Sequence, residues 1–202
     1  TAAELSLLEK EGITGEVTVA HLLFDDSDYA SLAGRIKCNP AIKSAADREA
    51  LVSAVAEGRI HTVGTDHAPH SLSEKQGGAL RAVSGMPTLQ FSLVMMLGFV
   101  DRGQLTIEQI ADVMCHNPAR IFGVNERGFL REGYKADIAI VSPCEEYVIS
   151  DRDVQSKCGW TPLDGRAATW KVMHTLCNGV HIYDDGIVDN ESQGEEIRFL
   201  HA

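Results

Sequence analysis

Ile60-His61-Thr62-Val63-Gly64-Thr65-Asp66-His67-Ala68-Pro69-His70 is the stretch on which the reading of this chain turns. A short β-rich run, Ile60 to Val63, ends in Gly64-Thr65 and then delivers one carboxylate and two histidines within five residues. Parallel α/β barrels put their chemistry at such strand ends, because the loops that follow the strands converge on one mouth. Asp66 stands at the tip, where a carboxylate can ligate a metal or shuttle a proton. His70 lies just past Pro69, which stiffens the turn. An aspartate and a histidine after a strand can equally be a polar turn; the whole string is more specific than its parts.

Working outward, Ser44-Ala45-Ala46-Asp47 resembles a capping box and opens a helix to about Glu57, with Leu51, Val52 and Val55 inward and Gly58 closing it. Before it, Arg35 to Cys38 reads as a short extended stretch ended by Asn39-Pro40, since the residue before a proline is pushed out of helix. Glu16 to Val19 reads as a strand that delivers His21, and Ala2 to Glu11 as a helix closed by Gly12. On the other side, Ser71 to Val83 is a polar, glycine-bearing loop long enough to suggest a functional segment. Pro87 suits the first turn of a helix to about Val100. Thr106-Ile107-Glu108-Gln109 is a second capping box, whose helix carries Ile107, Ile110, Val113 and Met114 on one face. Asn117-Pro118-Ala119-Arg120 begins another short helix ending near Gly123.

From about Gly128 the texture becomes β-rich. Ala136 to Val141, Glu146 to Ile149, Lys171 to Cys177 and Val180 to Tyr183 read as strands, with Asn178-Gly179 a strong hairpin signal. The acidic tail after Asp184 is expected to be loosely held. The reading is therefore two parts, residues 1–130 with αβ alternation and residues 131–202 with a β-rich end.

The 202 residues are 44% apolar and 23% charged, ordinary for a globular protein with a sizeable core. A net charge of −11 argues against a nucleic-acid or anionic-membrane surface, which would want clustered Lys and Arg. No apolar run approaches a membrane span; the longest, Leu89 to Val100, is interrupted by Gln90, Ser92 and Gly98. Cys38, Cys115, Cys144, Cys158 and Cys177 are odd in number and lack a CxxC pair, which fits reduced thiols in a cytoplasmic protein. The first residue is Thr1 rather than Met, inside what reads as a helix, so the expectation is a part of a longer polypeptide.

Gly64-Thr65-Asp66-His67-Ala68-Pro69-His70 resembles the signature of dihydroorotases, a branch of the cyclic amidohydrolases in the metal-dependent amidohydrolase superfamily. Three further stretches agree in order: Glu16-Val17-Thr18 with His21-Leu22-Leu23, Lys37-Cys38-Asn39-Pro40, and Asn117-Pro118-Ala119-Arg120 followed by Gly128, Gly133 and Ala136-Asp137. The resemblance implies an α/β fold: the C-terminal part of a (β/α)8 TIM-type barrel, about its last two strands and their helices, then part of a small β-sandwich. It implies Asp66 as metal ligand and general base, and Asn39, His70 and the backbone around Ser84 and Gly85 as substrate contacts. His67 would act behind Asp66. His21 reads equally as a hydrogen-bonded structural histidine or as a site residue. Val19-Ala20-His21, Asn39-Pro40-Ala41-Ile42-Lys43 and Thr88-Leu89-Gln90-Phe91 depart from the family's usual residues without removing any of these positions.

The implied cofactor is zinc, one or two ions, and the implied substrates are dihydroorotate and N-carbamoyl-aspartate. Asp66 alone cannot hold a catalytic zinc, which wants three or more protein ligands. The family draws these partly from a His-x-His, and this chain has none. A local site from His61, His67 and His70 is disfavoured by their closeness on a proline-stiffened loop. The remaining ligands are therefore expected upstream in the same polypeptide, which is also expected to form homo-oligomers, and these residues alone are expected to be inactive. The other readings are a hydantoinase, dihydropyrimidinase or allantoinase, or a catalytically dead relative serving as a scaffold. His116 reads as a helix-end residue, His174, His181 and His201 as surface or cross-strand residues, and Trp160 and Trp170 as core or interface aromatics.

Overall fold

In the computed structural model of the chain, Glu16–Thr18 (β1) and Thr62–Gly64 (β2) lie side by side and parallel, Val17 opposite Val63. The structure describes residues 1–10, 12–189, 191 and 194–200. The crossover between the strands carries α1 (Val19–Leu23), α2 (Tyr29–Leu32) and α3 (Ala45–Ala56). Helix α3 starts where the sequence predicts: the Ser44 hydroxyl accepts from the Asp47 amide at 3.2 Å, and Leu51, Val52 and Val55 face the core. β1 stops one residue early, at Thr18, because Val19 already begins α1. The stretch expected to be extended at Arg35–Cys38 is instead a 3-10 turn over Ala33–Ile36. Gly34 there lies so close to the Lys75 carbonyl that a Cβ would stand 2.1 Å from the oxygen, so the chain must curl rather than run straight. The N-terminal helix is a 3-10 stretch, Ala2–Glu9; Glu11 of the expected helix and His201 lie outside the described residues.

After β2 the polar loop makes one helical turn, α4 (Gly78–Arg81), and a 3-10 turn over Leu89–Phe91 then runs into α5 (Ser92–Asp101). Val94, Met95, Met96, Leu97 and Phe99 of α5 are all buried, the pattern of a helix covered on several sides. The two short helices expected next are joined without a break: α6 (Ile107–Ala111), a π turn over Asp112–His116 and α7 (Asn117–Ile121). Pro118 has no N–H to donate backwards, and the wider π turn just before it absorbs that loss.

The β-rich end forms one antiparallel sheet in the order β3 (Ile138–Val148), β4 (Ala167–Cys177), β5 (Val180–Asp184), β6 (Ile187–Val188). The two strands expected at residues 136–149 are a single strand, and Pro143 is tolerated within it because β3 is an edge. Asn178 (φ +52) and Gly179 (φ +82) make the predicted tight hairpin between β4 and β5. The tail is better held than its composition suggests: the Asn125 and Leu200 amides donate to the carbonyls of Arg198 and Gly123.

One apolar core joins these parts. It includes Val17, Leu22, Val63 and Met96 together with Ile149, Trp160, Leu163 and Trp170. The sheet docks on α5, where the Trp170 indole N–H donates to Asp101 at 3.0 Å. It also docks through Arg35, whose Nη2 donates to both carboxylate oxygens of Asp151 (3.0 and 2.8 Å) and to the Thr161 carbonyl at 3.0 Å.

Candidate active site

Asp66 follows β2 with φ +47, a left-handed conformation that aspartate tolerates better than most residues and that swings its carboxylate into the open. The carboxylate accepts no hydrogen bond from any described residue. The loop around it is tightly fixed. His67 Nδ1 accepts from the amides of Thr88 (3.2 Å) and Leu89 (3.1 Å), so its ring proton sits on Nε2. The Thr88 hydroxyl donates to the Thr65 carbonyl at 2.5 Å, and the Ala68 amide to the Met86 carbonyl at 3.0 Å. These bonds tie both flanks of Asp66 to the segment that opens α5.

His70 is held by its backbone. Its amide donates to the Ala68 carbonyl at 2.9 Å, and its carbonyl accepts from the Trp160 indole at 2.8 Å. Its ring lies against Gly85: a Cβ there would stand 3.3 Å from His70 Nε2 and 2.5 Å from the Ala68 side chain, and φ is +120. Only glycine fits, so Gly85 brings backbone up to the imidazole. The Gly85 amide in turn donates to the Lys37 carbonyl at 2.8 Å.

Lys75 closes this arrangement from beneath. Its side chain is buried, and Nζ donates to the carbonyls of Lys37 (3.0 Å), Val83 (2.6 Å) and Gly85. Burial pushes its pKa down to about 8. Lys37 Nζ stitches the same two loops from the other side, donating to the carbonyls of Ala79 (2.7 Å) and Ala82.

At the end of β1, His21 spans two segments. Its Nδ1 lies 2.6 Å from the Thr18 hydroxyl and its Nε2 3.0 Å from the Pro40 carbonyl. A carbonyl can only accept, so Nε2 carries the proton and Nδ1 accepts from Thr18. Burial lowers the His21 pKa, the Pro40 bond opposing it. The negative charge of Asp66 is felt at His21 and at Cys38, whose thiol is pushed up to about 11 chiefly by burial. Asn39 is exposed, its peptide to Pro40 is cis, and its amide, like the His70 ring and the Ser84 hydroxyl, has no hydrogen bond with a described residue.

The structure thus brings the predicted residues His21, Asn39, Asp66, His67, His70, Ser84 and Gly85 to the C-terminal ends of two parallel strands. Both ring nitrogens of His21 and Nδ1 of His67 are occupied in holding loops, whereas Asp66, Asn39 and His70 present unspent polar tips. Two residues that matter here were not singled out for the site by the sequence. Lys75 carries no local mark of burial, and Trp160 reads as a core or interface aromatic with no named partner, whereas its indole holds the His70 carbonyl.

For a metal ion, the carboxylate of Asp66 is a suitable oxygen ligand, free and exposed. Among the described residues no other His, Cys, Asp or Glu joins it in a cluster of three ligand atoms. Asp66 therefore fits as one ligand of an incomplete set. Two cavities lie elsewhere, one of about 310 Å³ between α5 and β4 beside Met95, Arg102 and Arg166, and one of about 470 Å³ beside Arg127, Lys135 and Glu195.

Residues 5–181 match the family described as the Amidohydrolase family. The chain is 37% identical to a dihydroorotase of Halobacterium salinarum over 177 residues, covering 88% of this chain and 42% of that protein. It is 33% identical to a dihydroorotase of Pyrococcus furiosus over 200 residues, covering 98% of this chain and 46% of the relative. Among solved structures it resembles the L-hydantoinase (dihydropyrimidinase) of Arthrobacter aurescens, with a TM-score of 0.88, 26% identity, and coverage of 93% of this chain and 44% of the other. A dihydropyrimidinase of Brevibacillus agri shares the fold at a TM-score of 0.85 and 20% identity, over 93% of this chain and 43% of that one. The chain spans less than half the length of each of these proteins.

Proposed function

The chain belongs to the amidohydrolase family, and from that premise we propose that it carries the last two barrel strands and the closing sheet of a dihydroorotase. The whole polypeptide would interconvert L-dihydroorotate and N-carbamoyl-L-aspartate, a step of pyrimidine synthesis. One observation carries the reading: the loops after β1 and β2 are laced together through Lys37, Lys75 and Gly85, and this lacing presents Asn39, Asp66 and His70 with unspent polar groups.

In the ring-opening direction, water adds to the ring amide carbonyl and the bond from that carbon to the ring nitrogen breaks. Asp66 takes the proton of the attacking water and returns it to the departing nitrogen, which balances the step. Asn39 and the His70 ring hold the substrate's carboxylate or ring amide, and the backbone at Ser84 and Gly85 walls the pocket beside His70. His21 and His67 position the loops that carry these groups. Zinc, when bound, supplies polarisation of the carbonyl and a lower pKa for water. Asp66 would be one of its ligands, with the others drawn from the part of the family fold that these 202 residues do not span. We assign the enzyme to the cytoplasm, where five free thiols persist, and to a homo-oligomer.

The test is turnover of dihydroorotate by the zinc-loaded whole polypeptide and by its Asp66→Asn variant. Loss of a general base is expected to cost about 10²–10⁴-fold in kcat. Undiminished turnover in the variant overturns the role of Asp66, and an inert wild type favours a scaffold. A second reading, a hydantoinase-type ring preference, is favoured by the structural likeness to hydantoinases. Faster opening of hydantoin or dihydrouracil than of dihydroorotate by the wild type would establish it.

A further inference from the structure

On the outer part of the sheet, two histidines and a carboxylate converge. His174 Nδ1 lies 3.2 Å from His181 Nε2 and 3.0 Å from an Asp184 carboxylate oxygen. All three ligand atoms lie within 4.8 Å of one another, and His181 and Asp184 are exposed. Sequence alternation alone does not put them there. His174 pairs with Asp184 and Thr175 with Tyr183, but Leu176 then pairs with His181, so Ile182 is left over as an extra residue in β5. In an unbroken ladder His181 would face away from His174 and Asp184. The bulge at Ile182 turns it onto their side, the kind of re-aiming for which bulges recur at functional places in sheets.

Hydrogen bonding does not exhaust this cluster. The single proton that a neutral His174 can carry on Nδ1 satisfies either the Asp184 oxygen or the His181 nitrogen, and the other lone pair is left facing it. A divalent cation satisfies all three at once. Ligand atoms about 2.1 Å from a tetrahedral zinc stand about 3.4 Å apart. The two separations from His174 need open by only a few tenths of an ångström, and the His181 and Asp184 atoms already lie within 4.8 Å of each other. Two imidazoles and one carboxylate are also a donor set that zinc takes in catalytic sites, with the fourth position left open.

We propose that His174, His181 and Asp184 form a second zinc site, on the β4–β5 hairpin and separate from Asp66. The ion clips the bulge and leaves one coordination position to solvent. The site is independent of the dihydroorotase reading, and its test does not use activity.

The metal-stripped whole polypeptide is equilibrated with zinc alone, and bound zinc per chain is counted against a chromophoric chelator. The Asp66→Asn background weakens zinc at the barrel site, and any zinc still held there is common to parent and variants and cancels in the comparison. There, His174→Ala and His181→Gln are each expected to bind one zinc fewer per chain than their parent, and Asp184→Asn to bind it about tenfold more weakly. Equal stoichiometry and affinity in parent and variants overturns the site, as does a parent that binds no zinc. In the unsubstituted protein, zinc is expected to shift the ring ¹⁵N resonances of His174 and His181; rings that do not move overturn the proposal without recourse to a variant.

Discussion

Lys75 is 3% exposed, yet among the described residues its ammonium meets only carbonyl oxygens and no carboxylate. Lysines are rarely buried so fully, and this one holds together two loops whose side chains face the open site. Lys75→Met keeps the apolar stem but strands the Val83 and Gly85 carbonyls, each worth about 1–3 kcal/mol when left unpaired in the interior, while the Lys37 carbonyl keeps the Gly85 amide. We expect a lower urea midpoint together with a raised KM for dihydroorotate, because Gly85 and the His70 ring lose their backing. Stability lost without any change in KM would show that the lysine supports the fold alone. His21 gives a pH signature. Burial lowers its folded pKa below the ordinary histidine value of about 6.5, so the native ring stays neutral where the unfolded ring takes a proton. The stability it contributes is thus complete above about 6.5 and is lost as pH falls through the lower folded value. Urea midpoints at pH 7.5 and 5 should fall more steeply in wild type than in His21→Gln; parallel falls would remove His21 as the cause. Asp66, His67 and His70 were legible because they lie in one local string. Lys75 was not, because its acceptors come from residues 37, 83 and 85 and nothing in the polar run 71–83 marks it as buried.

The elements that announced themselves did so through backbone chemistry that is complete within a few residues. Thr106 and Gln109 cap each other reciprocally, at 2.8 and 3.2 Å, where the sequence places a capping box. Asn178-Gly179 takes left-handed angles at both positions, as a two-residue hairpin requires. Asn178→Ala keeps the turn's geometry but pays the steric cost of φ +52, about 1–2 kcal/mol, and also loses the Arg127 bond to the Asn178 side-chain oxygen at 2.6 Å. A thermal melt should show the loss, and an unchanged midpoint would mean that the β4–β5 pairing does not contribute to global stability. The elements that were misread depend on distant partners. The curl at Ala33–Ile36 follows from the Lys75 carbonyl about forty residues on, and the register slips along β4 belong to the pairing of strands rather than to either strand alone.

At the scale of the molecule, the ion pair between Arg35 and Asp151 reaches across 116 residues to join the sheet to the segment after β1. The Arg35 guanidinium also lies over the Trp160 ring, 5.3 Å from its centre. Asp151→Asn weakens a charge-assisted contact worth about 1.5–3 kcal/mol. It is expected to lower the melting temperature and split off a separate transition for the sheet in calorimetry; one unchanged transition would show that docking rests on the apolar contacts. This seam is only partly legible in the sequence, which marks Trp160 and Trp170 as core or interface aromatics but does not name their polar partners. Those two are the chain's only tryptophans, both indoles are buried, and both donate across the seam, Trp160 to the His70 carbonyl and Trp170 to Asp101. The protein's ultraviolet emission is therefore an optical gauge of that joint: lifting the sheet would wet both indoles and move their light to longer wavelength, with no label attached.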